Sequence, residues 1–275
     1  MHEPHHGPPQ RRRPRATASV SLVVGVIGVA FGTLMGASLS GQTVRTPGQL
    51  PAMVHPQGPQ GPQKPVPPVL RQQRNSRLFP PLDLGLLEGP DREAWQKPDL
   101  IMDALGIADG GVVADMGAGG GWFTIRLARR VGPNGLVYAQ DIQEQMIDAI
   151  SRRVQRENLR NVRTVLGTAT DPRLPTGLDA VLIVDSFHEM DEKPDVILAL
   201  LRNIAGVLKP LGRLGIVDFT PGDGGPGPAA EERVDEAKVI ARAADAGLKL
   251  QRRELVPPYQ FLLVFSRDPN ARRAS

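Results

Sequence analysis

Val112-Val113-Ala114-Asp115-Met116-Gly117-Ala118-Gly119-Gly120-Gly121-Trp122-Phe123-Thr124 sets an apolar strand against a glycine loop and then a helix. The strand runs into Asp115, the loop has glycines at 117, 119 and 121, and the helix continues through Ile125, Leu127, Ala128 and Val131. Strand, glycine turn and helix in that order outline a nucleotide-cofactor site, because residues without a Cβ let a ligand approach the backbone. The dinucleotide fingerprint needs a third glycine three residues after its second, to seat the helix close to the strand. Counted from Gly117 and Gly119, that place holds Trp122. A nicotinamide oxidoreductase is therefore disfavoured.

The pattern Asp115-x-Gly117-x-Gly119-x-Gly121 instead resembles motif I of the class I S-adenosylmethionine-dependent methyltransferases. The resemblance implies S-adenosyl-L-methionine as cofactor, its methionine moiety at this loop, with Asp115, Gly117, Gly119 and Gly121 in the site. A side chain at Gly117 or Gly119 is expected to occupy the volume that the cofactor must fill. Leu136 to Gln140 reads as a second strand ending at Asp141, about 20 residues past the loop, where a carboxylate can accept two hydrogen bonds from a ribose diol. The other reading of Asp141 is an ordinary cap for a helix from Gln143. Ile142, beside it, joins the cofactor set. Gly167 to Pro175 stands where the family carries a Gly-Asp-Ala-like turn beside the adenine, which assigns Thr168 and Ala169 to the cofactor, Thr168 replacing the usual acid. Leu208-Lys209-Pro210-Leu211-Gly212 is similar to the family's Leu-Lys-Pro-Gly-Gly turn. The likeness covers nearly all of residues 92–266 and is nearest to small-molecule methyltransferases of the ubiquinone and menaquinone C-methyltransferase type.

The remaining pattern alternates as a doubly wound sheet requires. A helix is expected over Arg92 to Leu105, with Asp91 as cap and a break at Pro98. Trp95, Gln96 and Lys97 then form part of a lid, or Trp95 packs on the domain edge. Beyond the second strand come helix Gln143 to Glu157, strands Val162 to Leu166 and Ala180 to Val184, helix Pro194 to Val207, strand Arg213 to Asp218 and helix Glu231 to Ala246. Two last strands, Leu248 to Leu255 and Gln260 to Phe265, are joined so closely that they pair antiparallel. The expected fold class is α/β: a Rossmann-like, seven-stranded, mostly parallel sheet with helices on both faces and a C-terminal antiparallel hairpin.

The chemistry is expected after the fourth strand, in Val184-Asp185-Ser186-Phe187-His188-Glu189-Met190, at the carboxyl edge where ligands of open α/β sheets bind. In-line transfer of a methyl group depends mostly on positioning. An O, N or C acid as acceptor also needs a base. His188 is the candidate because an imidazole titrates near neutrality, with Asp185 or Glu189 to orient it and Asp185 also near the cofactor. The plain alternative is that His188 caps the next helix. Asp185, His188 and Glu189 lack a second ligand cluster at metal-binding spacing, so no metal is expected. Substrate selectivity is expected in the lid, in the loop Pro221 to Pro228 and around Tyr259.

The 275 residues, 40% of them apolar, allow one full domain with attachments, and the absence of cysteine excludes disulfides and thiol catalysis. The net charge of +4 comes from the flanks, since residues 92–271 hold 22 Lys and Arg against 25 Asp and Glu. This argues against a nucleic-acid groove. The run Arg152, Arg153, Arg156, Arg160 and Arg163 reads as a solvated surface or a face for anionic partners. Domain organisation is expected as a basic tail over 1–19, an apolar segment over 20–40, a Pro/Gln/Gly-rich disordered linker over 41–77, the methyltransferase domain over 78–268 and a basic tail over 269–275. The uncharged stretch Val20 to Leu39 reads as a signal peptide or a single membrane anchor, either of which carries the domain to or across the membrane; a start further downstream leaves it cytoplasmic. These readings give an enzyme that methylates a small molecule or lipid, or else a noncatalytic protein that senses a nucleoside ligand in the same pocket.

Overall fold

Along β1 (Val112–Met116) the buried side chains alternate between two cores, Val113 in one and Ala114 and Met116 in the other. A strand apolar on both faces must be covered by helices on both sides. The computed structural model describes residues 78–222, 224–256 and 259–270 and supplies that cover. β1 pairs in parallel with β2 (Leu136–Asp141) and β4 (Leu178–Val184); β3 (Val162–Leu166) flanks β2, and β5 (Leu208–Phe219) flanks β4. β7 (Gln260–Arg267) runs antiparallel between β5 and β6 (Leu248–Val256), giving the order β3-β2-β1-β4-β5-β7-β6. This is the expected seven-stranded sheet with its terminal hairpin.

One core joins α2 (Pro98–Ala104), α3 (Trp122–Val131) and Ile150 of α4 (Glu144–Arg156) to Ala180, Leu182 and Val217 of the sheet. The other joins Phe187 of α5 (Phe187–Met190), Ile197 and Ile204 of α6 (Pro194–Val207) and Val239 of α7 (Glu236–Asp245) to Val181, Ile183 and Leu214. Each fully buried leucine or isoleucine stabilises the fold by about 1.5–3 kcal/mol. The topology also places the site. From β1 the chain winds outward to β3 and then crosses back to β4, so a crevice opens at the carboxyl ends of β1 and β4.

The break or restart expected at Pro98 is present, as two helices, α1 (Arg92–Gln96) and α2, joined by Lys97 in the left-handed region (φ 52°) with Pro98 opening α2. Several elements differ from the sequence reading. Asp91 stands at the start of α1 without a side-chain cap bond. The helix expected from Glu231 begins at Glu236, because the Asp235 carboxylate accepts the Ala237 N–H and fixes the start there; Ala230–Glu232 is only a 3₁₀ turn. β4 and β5 are longer than expected. Two short elements were not foreseen, α5 and a 3₁₀ helix over Pro81–Glu88 that has no buried residue. Among the described residues no helix is long and apolar enough to cross a membrane. The basic tail 1–19, the apolar segment 20–40, the linker 41–77, the end of the C-terminal tail and Pro257-Pro258 lie outside the described residues.

Candidate active site

The glycine loop leaves β1 with Gly117, Gly119 and Gly121 all in the left-handed region. The Gly119 N–H donates to Asp141 Oδ2 at 3.0 Å and the Gln143 N–H to Asp141 Oδ1 at 3.0 Å. Asp141 therefore helps order the start of α4 and the glycine loop at once, and its carboxylate keeps acceptor capacity for a hydroxyl. Burial pushes its carboxyl up, opposed by the backbone N–H groups of Gln143, Gly119 and Ile142. Asp115 lies beneath the loop and accepts the Thr124 hydroxyl at 2.6 Å. Burial lifts its pKa to about 7 despite that bond.

The two glycines have separate reasons. At Gly117 an added Cβ meets Ser186 Oγ at 2.8 Å and Met190 Cε at 2.9 Å, so the obstacle there is the protein itself, a correction to the expected ligand clash. At Gly119 the nearest atom is Leu87 Cδ1 at 3.6 Å, and a longer side chain would enter the cavity. Thr168 forms a local turn, its hydroxyl accepting the Asp171 N–H at 3.0 Å, and lines the cavity with Ala169 and Ile142. Nearby, the buried Gln140 Nε2 has no protein partner. An orphaned donor in the wall, a hydroxyl-accepting carboxylate and a glycine cradle together suit a nucleoside-type ligand.

On the β4 side the sequence-predicted trio is split. Asp185 adopts φ 56° and turns to the first helix, where Arg92 Nη2 donates to its Oδ2 at 2.8 Å, Gln96 Nε2 to its Oδ1 at 3.3 Å, and Gln260 through its amide. Burial pushes Asp185 up while the Arg92 charge opposes it. Neither it nor Glu189 orients the imidazole, as had been expected. That role falls to Asp218, fully buried at the end of β5, whose carboxylate lies 3.0 Å from His188 Nδ1 and accepts the His188 backbone N–H at 3.0 Å. Burial lowers the His188 pKa, but the Asp218 hydrogen bond and charge, with Glu189 and Asp185, outweigh it and leave a net rise. Asp218, Arg92 and Gln260 were missed by sequence reasoning, and Gln96, expected in a lid, joins the Asp185 network instead. One signal was present for Asp218, an acid closing the apolar run Leu214 to Val217.

Glu189 lies with Oε1 3.9 Å from His188 Nε2, and its Oε2 accepts the Phe79 N–H at 3.1 Å. Burial raises its pKa from 4.5 to about 7. A raised carboxyl stabilises the fold below its ordinary pKa and loses that contribution as pH rises through the folded value. Glu189→Gln is thus expected to flatten the fall in melting temperature between about pH 4.5 and 7, read by thermal unfolding at fixed ionic strength; an unchanged slope contradicts the burial argument.

The cavity over these groups measures about 740 Å³, within the range of small-molecule sites. Its roof is the segment 78–89. The Phe79 carbonyl accepts from Gln143, Leu87 O accepts from Arg92 at 2.6 Å, and Glu88 pairs with Arg153. Trp95 lines the cavity and packs on Phe219 and Tyr259 at centroid distances of 6.0 and 6.4 Å, which joins the two readings of it, lid and edge packing. Gln96 is buried in the Asp185 network, and Lys97 serves as the joint between α1 and α2. The far wall is the Gly/Pro loop, which Arg233 holds by donating to the carbonyls of Thr220, Gly224, Pro226 and Pro228 at 2.8–3.3 Å. Arg233→Ala should speed amide exchange over residues 220–232 at least tenfold in hydrogen-exchange mass spectrometry and leave the glycine loop unaffected.

An open α/β sheet with a nucleoside-type cradle at its switch point, beside a carboxylate-held imidazole, defines a cofactor-dependent transferase. The comparisons narrow this class. Residues 113–212 match the methyltransferase domain family. A solved S-adenosylmethionine-dependent methyltransferase from Aquifex aeolicus is 30% identical, with a TM-score of 0.64 over 68% of this chain and 98% of that one. The chain belongs to the S-adenosylmethionine-dependent methyltransferase family. It is also 33% identical over 133 residues to the ubiquinone/menaquinone biosynthesis C-methyltransferase UbiE of Pasteurella multocida (strain Pm70), covering 46% of each chain. The nocamycin O-methyltransferase of Saccharothrix syringae is 31% identical over 122 residues, covering 44% of this chain and 42% of that protein. The chain thus spans about half the length of the curated relatives it matches.

Proposed function

We propose that this enzyme uses S-adenosylmethionine to methylate a small-molecule or lipid acceptor that must lose a proton, with His188 as the base. The observation that carries the reading is the contact between His188 Nδ1 and Asp218 at the carboxyl edge, where β5 adjoins β4 and the glycine loop. When bound, the cofactor supplies an electrophilic methyl group on a sulfonium. Gly117, Gly119 and Gly121 would form its cradle, with Asp115 supporting the start of α3 through Thr124; Asp141 would accept the ribose hydroxyls, and Ile142, Thr168 and Ala169 would flank the base.

With Nδ1 directed at a carboxylate, the proton of the neutral ring sits on Nδ1 and Nε2 is the basic atom. Nε2 would take the proton that the acceptor must lose, and Asp218 would stabilise the imidazolium that results. Trp95, Phe219 and the Arg233-held loop shape an apolar wall for the acceptor and exclude water. The relatives include both a C- and an O-methyltransferase, so either acceptor atom is compatible with this arrangement. We place the enzyme at the membrane through Val20 to Leu39.

Calorimetric titration with S-adenosylmethionine, S-adenosylhomocysteine and NADH tests the cofactor assignment. Micromolar binding of the two sulfur ligands and none of NADH is expected; folded protein that binds neither sulfur ligand would sink it. An acceptor screen scored by S-adenosylhomocysteine release then separates an enzyme from a ligand sensor.

A further inference from the structure

Among the described residues seven large apolar side chains are exposed; Leu255 lies at the carboxyl edge on the outer strand β6, and four more, Leu78, Leu82, Leu86 and Ile142, belong to the segment 78–89 and the end of β2. Leu78, Leu86 and Ile142 also line the cavity, so they form its rim. Polar bonds of their neighbours hold the segment 78–89 against α4 and the residue before it. Gln143 bonds Phe79 O at 3.1 Å, and Glu88 pairs with Arg153 of α4. Leu82 is 98% exposed and Leu86 78%, on a 3₁₀ helix with no fully buried residue. Contiguous exposed apolar side chains at a cavity mouth mark an interaction surface, since water is their least favourable surrounding.

We propose that this rim inserts into the surface of a lipid bilayer, so that the cavity mouth opens to the membrane and the acceptor enters from it. Two further observations favour a bilayer as the occupant. The residues that precede the rim in sequence include the uncharged apolar stretch Val20 to Leu39, which the sequence reading takes as a signal peptide or a membrane anchor. Charges around the rim are mostly acidic, Asp83, Glu88, Asp91, Glu192 and Glu232 against Arg153 and Lys193, so insertion rests on the leucines rather than on anionic headgroups. The inference is independent of His188 and deepens the proposed function only in where the acceptor comes from.

The absence of cysteine makes the test clean. The full chain carrying Leu82→Cys, labelled with an environment-sensitive fluorophore, is reconstituted in phosphatidylcholine vesicles. Leu211→Cys serves as control, 91% exposed but near the opposite end of β5, roughly 20 Å from Asp218 at strand rise. A lipid-borne quencher is expected to cut the emission at position 82 at least threefold and to leave position 211 unchanged, with aqueous iodide showing the reverse. Iodide quenching at position 82 without lipid quenching means that the rim faces water and overturns the proposal. Shielding from both quenchers means that protein covers the rim, either the chain's own apolar segment or a second copy, and also overturns it. Equal lipid quenching at both positions shows undirected adsorption and does the same. S-adenosylhomocysteine titration of the same samples separates this outcome from any failure of the cofactor assignment.

Discussion

Asp218→Asn is expected to slow methyl transfer by about 10²- to 10⁴-fold while leaving S-adenosylhomocysteine affinity within twofold. The substitution keeps the shape of the side chain but removes its charge, and its amide nitrogen can only donate. One Asp218 oxygen accepts the backbone N–H of Phe219 and the other that of His188, and Nδ1 lies within 3.2 Å of both, so an amide nitrogen at either place sets a donor against a backbone N–H and within reach of Nδ1. The ring then favours the tautomer with its proton on Nε2, the wrong atom for a base.

The pH dependence adds a second reading of the same change. His188 must be neutral to accept a proton, so the rate should climb with pH through a folded pKa above the ordinary 6.5. In the Asn variant burial acts with less opposition and the inflection moves to lower pH. Stability moves in the opposite sense: the raised pKa contributes stabilisation below about pH 6.5 that is lost as pH rises through the folded value. Single-turnover release of S-adenosylhomocysteine across pH, with ¹⁵N chemical shifts of the ring, measures both. An Asn variant with wild-type rate and inflection would remove Asp218 and His188 from the chemistry.

Gly119→Arg should weaken S-adenosylhomocysteine binding at least 100-fold and leave the protein folded. A Cβ at this position meets nothing closer than Leu87 at 3.6 Å, so the backbone cost is only that of a left-handed residue, roughly 1–2 kcal/mol. The rest of the side chain has only the cavity to enter. Gly117→Ala supplies the contrast, since its Cβ runs into Ser186 and Met190 and the cost falls on folding. The pair is separated by calorimetry and thermal melting together. A Gly119→Arg variant that is folded and binds the ligand normally would move the cofactor site away from the loop.

The strand, glycine loop and helix at 112–131 were legible because each is a local matter: alternating burial, positive φ at glycine and helical spacing are written over neighbouring residues. The same holds for β2 with Asp141 and for the closing hairpin. The start of α7 was misplaced because the Asp235 cap competed with an earlier acidic run, Glu231 and Glu232, that reads equally well as a first turn.

The sequence by itself determined the order of strands and helices, the glycine loop and the acids at the strand ends, since these depend on spacing and residue type within a few turns of chain. Only the tertiary structure decided which acid serves which partner. Asp185 and His188 are three residues apart, yet the left-handed turn at Asp185 sends its carboxylate to Arg92, while Asp218, thirty residues on, is brought to the imidazole because β5 lies beside β4. The roof over the cavity is of the same kind. Its 3₁₀ helix has no fully buried residue, only Leu84 and Leu87 half-buried near the glycine loop, so polar contacts of the surrounding segment to Gln143, Arg92, Arg153 and Glu189 help to set its place, and no local pattern records them.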